Sequence, residues 1–126
     1  MSEGMLRDGP IPAFVHGLIE YAAGVLFIIA PFLFGFESGA AQAFSIVVGV
    51  VLITFTATSD LPTSLINQIP KPIHVAVDYA MAVLLIASPF IFGFSDETAP
   101  TIFFIAIGLT HLLITIGTRF RSSPSV

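Results

Sequence analysis

Apolar residues along this chain gather into four long runs, parted by short polar breaks. Each run approaches the roughly 20 residues that a helix needs to cross the hydrocarbon core of a bilayer. The pattern predicts helices over about 13–35, 40–58, 72–94 and 99–118. Residues 1–126 therefore read as a single membrane domain, since no polar stretch exceeds about a dozen residues. The longest break, Ser59 to Pro70, places Leu61, Leu65 and Ile69 four residues apart. It reads either as a short helix capped by Ser59 or Asp60 and lying along the membrane surface, or as a plain polar connector.

The four runs are two copies of one unit. Shifted by 58 positions, residues 11–36 align without gaps on 69–94, and 13 of the 26 pairs are identical. Ile11 meets Ile69, Pro12 meets Pro70, His16 meets His74 and Tyr21 meets Tyr79, while Glu20 facing Asp78 keeps the charge. One added residue in the second outer loop brings Gly49 opposite Gly108. Repeat 1 thus covers about 11–58 and repeat 2 about 69–118. Each unit crosses twice, so both copies start from the same side and form a parallel rather than an inverted repeat. The expected fold is all-α, a four-transmembrane-helix bundle of two helical hairpins.

Composition removes the soluble alternative. Hydrophobic residues make up 56% of the chain and charged residues 10%, against about 25% charged in a soluble domain. So few charges could not cover a water-facing surface. The net charge is −4 and the four basic residues are scattered, which excludes a nucleic-acid partner. Without cysteine there is no disulfide, thiolate ligand or thiol nucleophile. The apolar run from Ala13 to Phe36 exceeds a signal-peptide core of about 7–15 residues, so the first helix is expected to be retained. Arg7, Lys71, Arg119 and Arg121 all fall on one side of a four-span arrangement, and Glu37, Asp96 and Glu97 on the other. Positive charge marks the cytoplasmic side, so both termini and the middle loop are expected there.

Each odd-numbered helix ends in nearly the same phrase, Ala30-Pro31-Phe32-Leu33-Phe34-Gly35-Phe36 and Ser88-Pro89-Phe90-Ile91-Phe92-Gly93-Phe94. Proline bends the last turn, glycine lets the chain reverse, and the phenylalanines are expected to fill the outer end of the bundle. With this phrase the chain resembles the SPW-repeat family. Its two-helix units carry Ser-Pro-Trp followed by a short apolar stretch and Gly-Phe. Phe32 and Phe90 stand where that family has tryptophan, and only the second copy keeps the serine, Ser88. The resemblance implies a small multi-pass protein of a prokaryotic plasma membrane and implies no activity.

The chemistry lies inside the helices. An ionisable side chain in a membrane costs roughly 2.5–3.5 kcal/mol on insertion scales and marks a candidate site. His16 and Glu20 are four apart on the first helix, and His74 and Asp78 repeat that spacing on the third. Such residues share a face, so each histidine is expected to reach its own carboxylate. Tyr21 and Tyr79 follow directly, and the fourth helix adds His111 at a similar depth, opposite Leu52 in the other copy. Ala41, Ser45 and Gly49 form a small-residue stripe that makes the second helix a packing element.

Three uses of this polar layer compete. The groups satisfy one another and pin the first helix to the third; they relay protons or ions; or they bind haem or a metal ion, as bundle cores can. No established metal motif is matched, so neither metal nor cofactor is expected from sequence. Catalysis has no support, there being no cysteine and no serine in a nucleophile elbow. The expectation is a non-enzymatic scaffold or accessory subunit in the lipid bilayer, as a homo-oligomer or within a larger complex. A small proton- or ion-coupled transporter is the alternative, and a haem- or metal-binding subunit the third reading.

Overall fold

In the computed structural model, residues 9–120 are described; Arg7 and Arg121 lie outside them. Four helices fill the chain: α1 (Ala13–Leu33), α2 (Gly39–Ala57), α3 (Lys71–Ile91) and α4 (Thr98–Gly117). Two short strands flank them, β1 (Ile11–Pro12) and β2 (Thr118–Arg119). All four helices are long and apolar enough to cross a membrane. The molecule is an all-α bundle of two hairpins, with Val25, Val47, Val83, Ile102 and Leu113 among the large apolar side chains left on its outside. In a bilayer that surface faces lipid, which satisfies it.

Within each hairpin the backbones approach closely at small residues. A Cβ on Gly49 would stand 2.5 Å from the Gly24 carbonyl oxygen, and one on Gly108 would stand 3.1 Å from that of Ala82. Ala82 is the repeat counterpart of Gly24, so α1–α2 and α3–α4 meet at equivalent points. The Ala41, Ser45 and Gly49 stripe is buried.

The repeated Pro-Phe phrase ends α1 and α3 through glycine. Gly35 and Gly93 have φ of +64° and +74°, a left-handed conformation that costs other residues about 1–2 kcal/mol. The Phe36 amide then donates back to the Pro31 carbonyl at 3.0 Å, and Phe94 to Pro89 at 2.9 Å. This is the helix-ending bond of a Schellman turn, and it stops both helices short of the apolar runs that continue to Phe36 and Phe94. Phe36 and Phe94 pack with Phe27, Phe103 and Phe104 in the outer end of the bundle. Phe32 and Phe90 do not: they are 78% and 65% exposed. The expectation that every phenylalanine of the phrase fills the outer end is corrected here. Consecutive helical positions point about 100° apart, so the residue after a buried proline turns outward.

Proline also leaves a carbonyl without its helical donor. For Pro89 that carbonyl is Leu85, and the Ser88 hydroxyl donates to it at 2.7 Å. For Pro31 it is Phe27, where the preceding residue is Ala30 and cannot donate. Ser45 reaches across from α2 and donates to the Phe27 carbonyl at 2.6 Å. The second copy meets this need locally and the first copy through its neighbouring helix.

The segment from Ser59 to Pro70 forms no helix, which excludes the surface-helix reading. Its backbone folds back onto the end of α2: the Leu65 and Ile66 amides donate to the Ala57 carbonyl at 2.8 and 2.9 Å, and those of Gln68 and Ile69 to Thr58 at 2.9 Å. These groups satisfy carbonyls that the end of a helix leaves open. Leu61 is buried while Leu65 and Ile66 are exposed, so the three-residue apolar face is not used as one.

At this inner end the repeats close on each other. β1 pairs in parallel with β2, Ile11 opposite Thr118 and Pro12 opposite Arg119. Ser59 makes the equivalent bridge to Ile69. Each repeat's start therefore joins the other repeat's end. Lys71 and Arg119 share this end, and Glu37, Asp96 and Glu97 lie in the loops at the opposite one. There Glu97 accepts hydrogen bonds from the Glu37 and Ser38 amides at 2.6 and 2.8 Å, tying one outer loop to the other.

Candidate functional site

One turn inside the closed end, α1 and α3 turn their ionisable residues toward each other. His16, Glu20, His74 and Asp78 are all buried. Spacing alone pairs each histidine with its own carboxylate; the structure keeps those contacts and adds shorter ones that cross between the helices. His16 Nε2 lies 3.1 Å from Asp78 Oδ2, and His74 Nε2 lies 2.8 Å from Glu20 Oε1. The contacts within each helix are 3.4 Å for His16–Glu20 and 3.1 Å for His74–Asp78. Four donor atoms thus form a ring, all within 4.8 Å of one another. The crossing follows from the repeat: two equivalent faces meet about a shared axis, and the facing carboxylate comes at least as near as the one a turn away.

The second ring nitrogens are equally fixed. His16 Nδ1 lies 2.8 Å from Thr118 Oγ1, and the Thr118 hydroxyl donates to the Ile114 carbonyl at 2.6 Å. His74 Nδ1 lies 2.6 Å from Ser59 Oγ, whose hydroxyl donates to the Phe55 carbonyl at 2.6 Å. A hydroxyl has one proton and a carbonyl has none to give, so in both places Nδ1–H is the donor to the hydroxyl oxygen. Both Nε2 atoms therefore face the carboxylates, as lone pairs when the imidazoles are neutral. Phe55 stacks on His74 with ring centres 4.7 Å apart, and Phe120 meets His16 edge-on at 4.9 Å. Thr56 donates to Glu20 Oε1 at 3.3 Å.

His111 joins from α4 on the far side of the carboxylates. Its Nε2 is 3.5 Å from Asp78 Oδ1 and 4.0 Å from Glu20 Oε2. Among the described residues, neither His111 Nε2 nor Glu20 Oε2 has a hydrogen-bond partner. His111 also lines an apolar cleft of about 250 Å³, together with Ile19, Ala23 and Leu26 of α1 and Ile107 and Ile114 of α4. Five of the seven residues singled out by sequence converge here. Tyr21 and Tyr79 do not: Tyr21 donates to the Thr63 carbonyl at 3.0 Å, and Tyr79 packs with Leu61, Val75 and Phe120. A residue one position beyond the carboxylate is rotated about 100° away from it.

Sequence reasoning missed Ser59 and Thr118. A signal was present, because the shift of 59 that sets Gly49 on Gly108 also sets Ser59 on Thr118 and Thr56 on Thr115. Hydroxyls kept at matching points beyond two apolar helices have a task to perform, and here it is to hold the imidazoles.

No curated protein and no solved structure matches this chain. The SPW repeat domain matches over residues 14–118, which takes in both hairpins, both Pro-Phe phrases and all five converging side chains. By that match over most of its length, this small multi-pass membrane protein belongs to the SPW repeat family.

Proposed function

We propose that this chain is a non-enzymatic scaffold or accessory subunit of a prokaryotic cytoplasmic membrane, with both termini and the middle loop on the cytoplasmic side. One observation carries the reading: each histidine's shortest carboxylate contact runs to the other repeat, at 3.1 Å for His16–Asp78 and 2.8 Å for His74–Glu20, so the polar centre is the bolt that holds one hairpin to the other. Groups so engaged offset their own cost of burial and leave little free for a substrate.

The transport reading is less well supported. Beyond Glu20 in α1 and Asp78 in α3, the remaining turns carry no acidic or basic side chain, and α2 carries none at all. A proton arriving at the centre has no ionisable group to pass to across the outer half. The exposed apolar sides would be covered by lipid, a second copy or a larger membrane complex.

The test is proton flux into proteoliposomes, wild type beside Glu20→Gln/Asp78→Asn. Scaffold function predicts flux equal to empty vesicles for both, with lowered stability in the variant. Conduction by wild type that the double variant abolishes overturns it.

A further inference from the structure

We propose that the polar centre is a binding site for one divalent transition-metal ion, held by His16 Nε2, His74 Nε2, one oxygen of Glu20 and one of Asp78. This goes beyond the scaffold reading, which stands with or without an ion.

The first support is charge. With both Nδ1 protons committed to Thr118 and Ser59, the ring contains two carboxylates and two imidazole lone pairs. Ionised carboxylates and neutral imidazoles would leave four acceptors pointing at one another with nothing between them. Two positive charges resolve this, either as one proton on each Nε2 or as a single divalent cation that replaces both. Each solution is neutral overall, as a site within a bilayer demands.

The geometry accommodates the cation. The four histidine–carboxylate edges are 3.4, 3.1, 2.8 and 3.1 Å. Ligands about 2.0 Å from a tetrahedral ion stand roughly 3.3 Å apart, so these four edges lie near coordination spacing, and all four atoms fall within 4.8 Å of one another. The surroundings fit as well. A ligating histidine characteristically donates its other ring N–H to an oxygen that fixes its tautomer and orientation, and both histidines here do so, through hydroxyls that are themselves anchored. The unpartnered Glu20 Oε2 and His111 Nε2 leave capacity on the outer side of the carboxylates. Phe55 and Phe120 pack on the imidazoles and would shield a bound ion as in a structural site. Two imidazoles with two carboxylates suit zinc, iron or manganese better than calcium or magnesium, which prefer oxygen alone.

The experiment uses the full chain in detergent micelles, stripped with a chelator and titrated with Zn²⁺ and with Co²⁺ as a coloured probe. Wild type is expected to take up one ion per chain, and Co²⁺ to give the intense visible bands of a four-coordinate N/O site. His16→Ala/His74→Ala is expected to bind at least 100-fold more weakly. Glu20→Gln/Asp78→Asn preserves side-chain shape and gives each Nε2 lone pair an amide N–H to accept from, so it keeps the test decisive if the alanine pair misfolds; it should lose binding while retaining its helical circular dichroism. Tyr79→Phe should bind as wild type does. Folded wild type that takes up no ion, or uptake unchanged in the carboxamide variant, overturns the site. The first of those results leaves the bolt intact with protons in place of the ion, whereas a conducting wild type would overturn the scaffold and leave the metal measurement untouched.

Discussion

Replacing Ser45 by alanine should weaken the bundle, and adding a serine at position 30 should repair it. Ser45 supplies the donor for the Phe27 carbonyl that Pro31 cannot bond, at 2.6 Å and in the buried core. A buried acceptor left without a partner costs about 1–3 kcal/mol. Bonds between membrane helices average nearer 0.6 and reach about 1.7 kcal/mol, because the separated helices find other partners. Phe27 has no such alternative, since proline denies it a donor in the isolated helix too. Ser45 does have one, bonding back to the carbonyl a turn earlier in its own helix. The expected loss for Ser45→Ala is therefore about 1–2 kcal/mol, a five- to thirty-fold shift in the unfolding equilibrium. Ala30→Ser places a hydroxyl where Ser88 sits in the second copy, three residues after the freed carbonyl. Ser45→Ala/Ala30→Ser should thus regain at least half the loss, and Ser88→Ala alone should cost a similar amount. Equilibrium unfolding in mixed micelles, followed by circular dichroism, reads all four. Rescue smaller than about 0.3 kcal/mol, the scatter expected of independent sites, would refute the argument that serine and proline act as a unit.

Other outcomes follow from named contacts. Thr118→Val removes the acceptor for His16 Nδ1–H and should cost about 1–3 kcal/mol, with Thr118→Ser much milder; nitrogen-15 spectra of the imidazoles should show the His16 tautomer disturbed in the valine variant alone. Gly49→Ala drives a methyl against the Gly24 backbone and should lower stability by about 1–3 kcal/mol, whereas Gly39→Ala, with open space around it, should be neutral or slightly stabilising in the same unfolding assay. Restoring the family residue by Phe32→Trp or Phe90→Trp should change stability by less than about 0.5 kcal/mol, because both side chains face outward. Tags at the two ends should be reached by a membrane-impermeant label from the same side in inverted vesicles, and opposite accessibility would overturn the orientation.

The sequence by itself determined the spans, the duplication and the family, because each depends on local information. A run of about 20 apolar residues has only one way to satisfy its backbone in lipid, which is to form a helix. Duplication leaves its mark in residue identity, and the turn at Gly35 and Gly93 is legible because glycine alone tolerates that backbone at little cost. The spacing of His16 with Glu20 and His74 with Asp78 likewise announced a buried polar layer. It did not announce the partners. Which carboxylate a histidine meets depends on the rotation and approach of α1 against α3, where each repeat's start joins the other's end. Tertiary structure alone added the crossed contacts to those within each helix, brought in Ser59 and Thr118 from the far ends of α2 and α4, and sent Tyr21 and Tyr79 elsewhere. It also revealed Ser45 serving a carbonyl in another helix. A helical period fixes which residues share a face; only packing decides what that face meets.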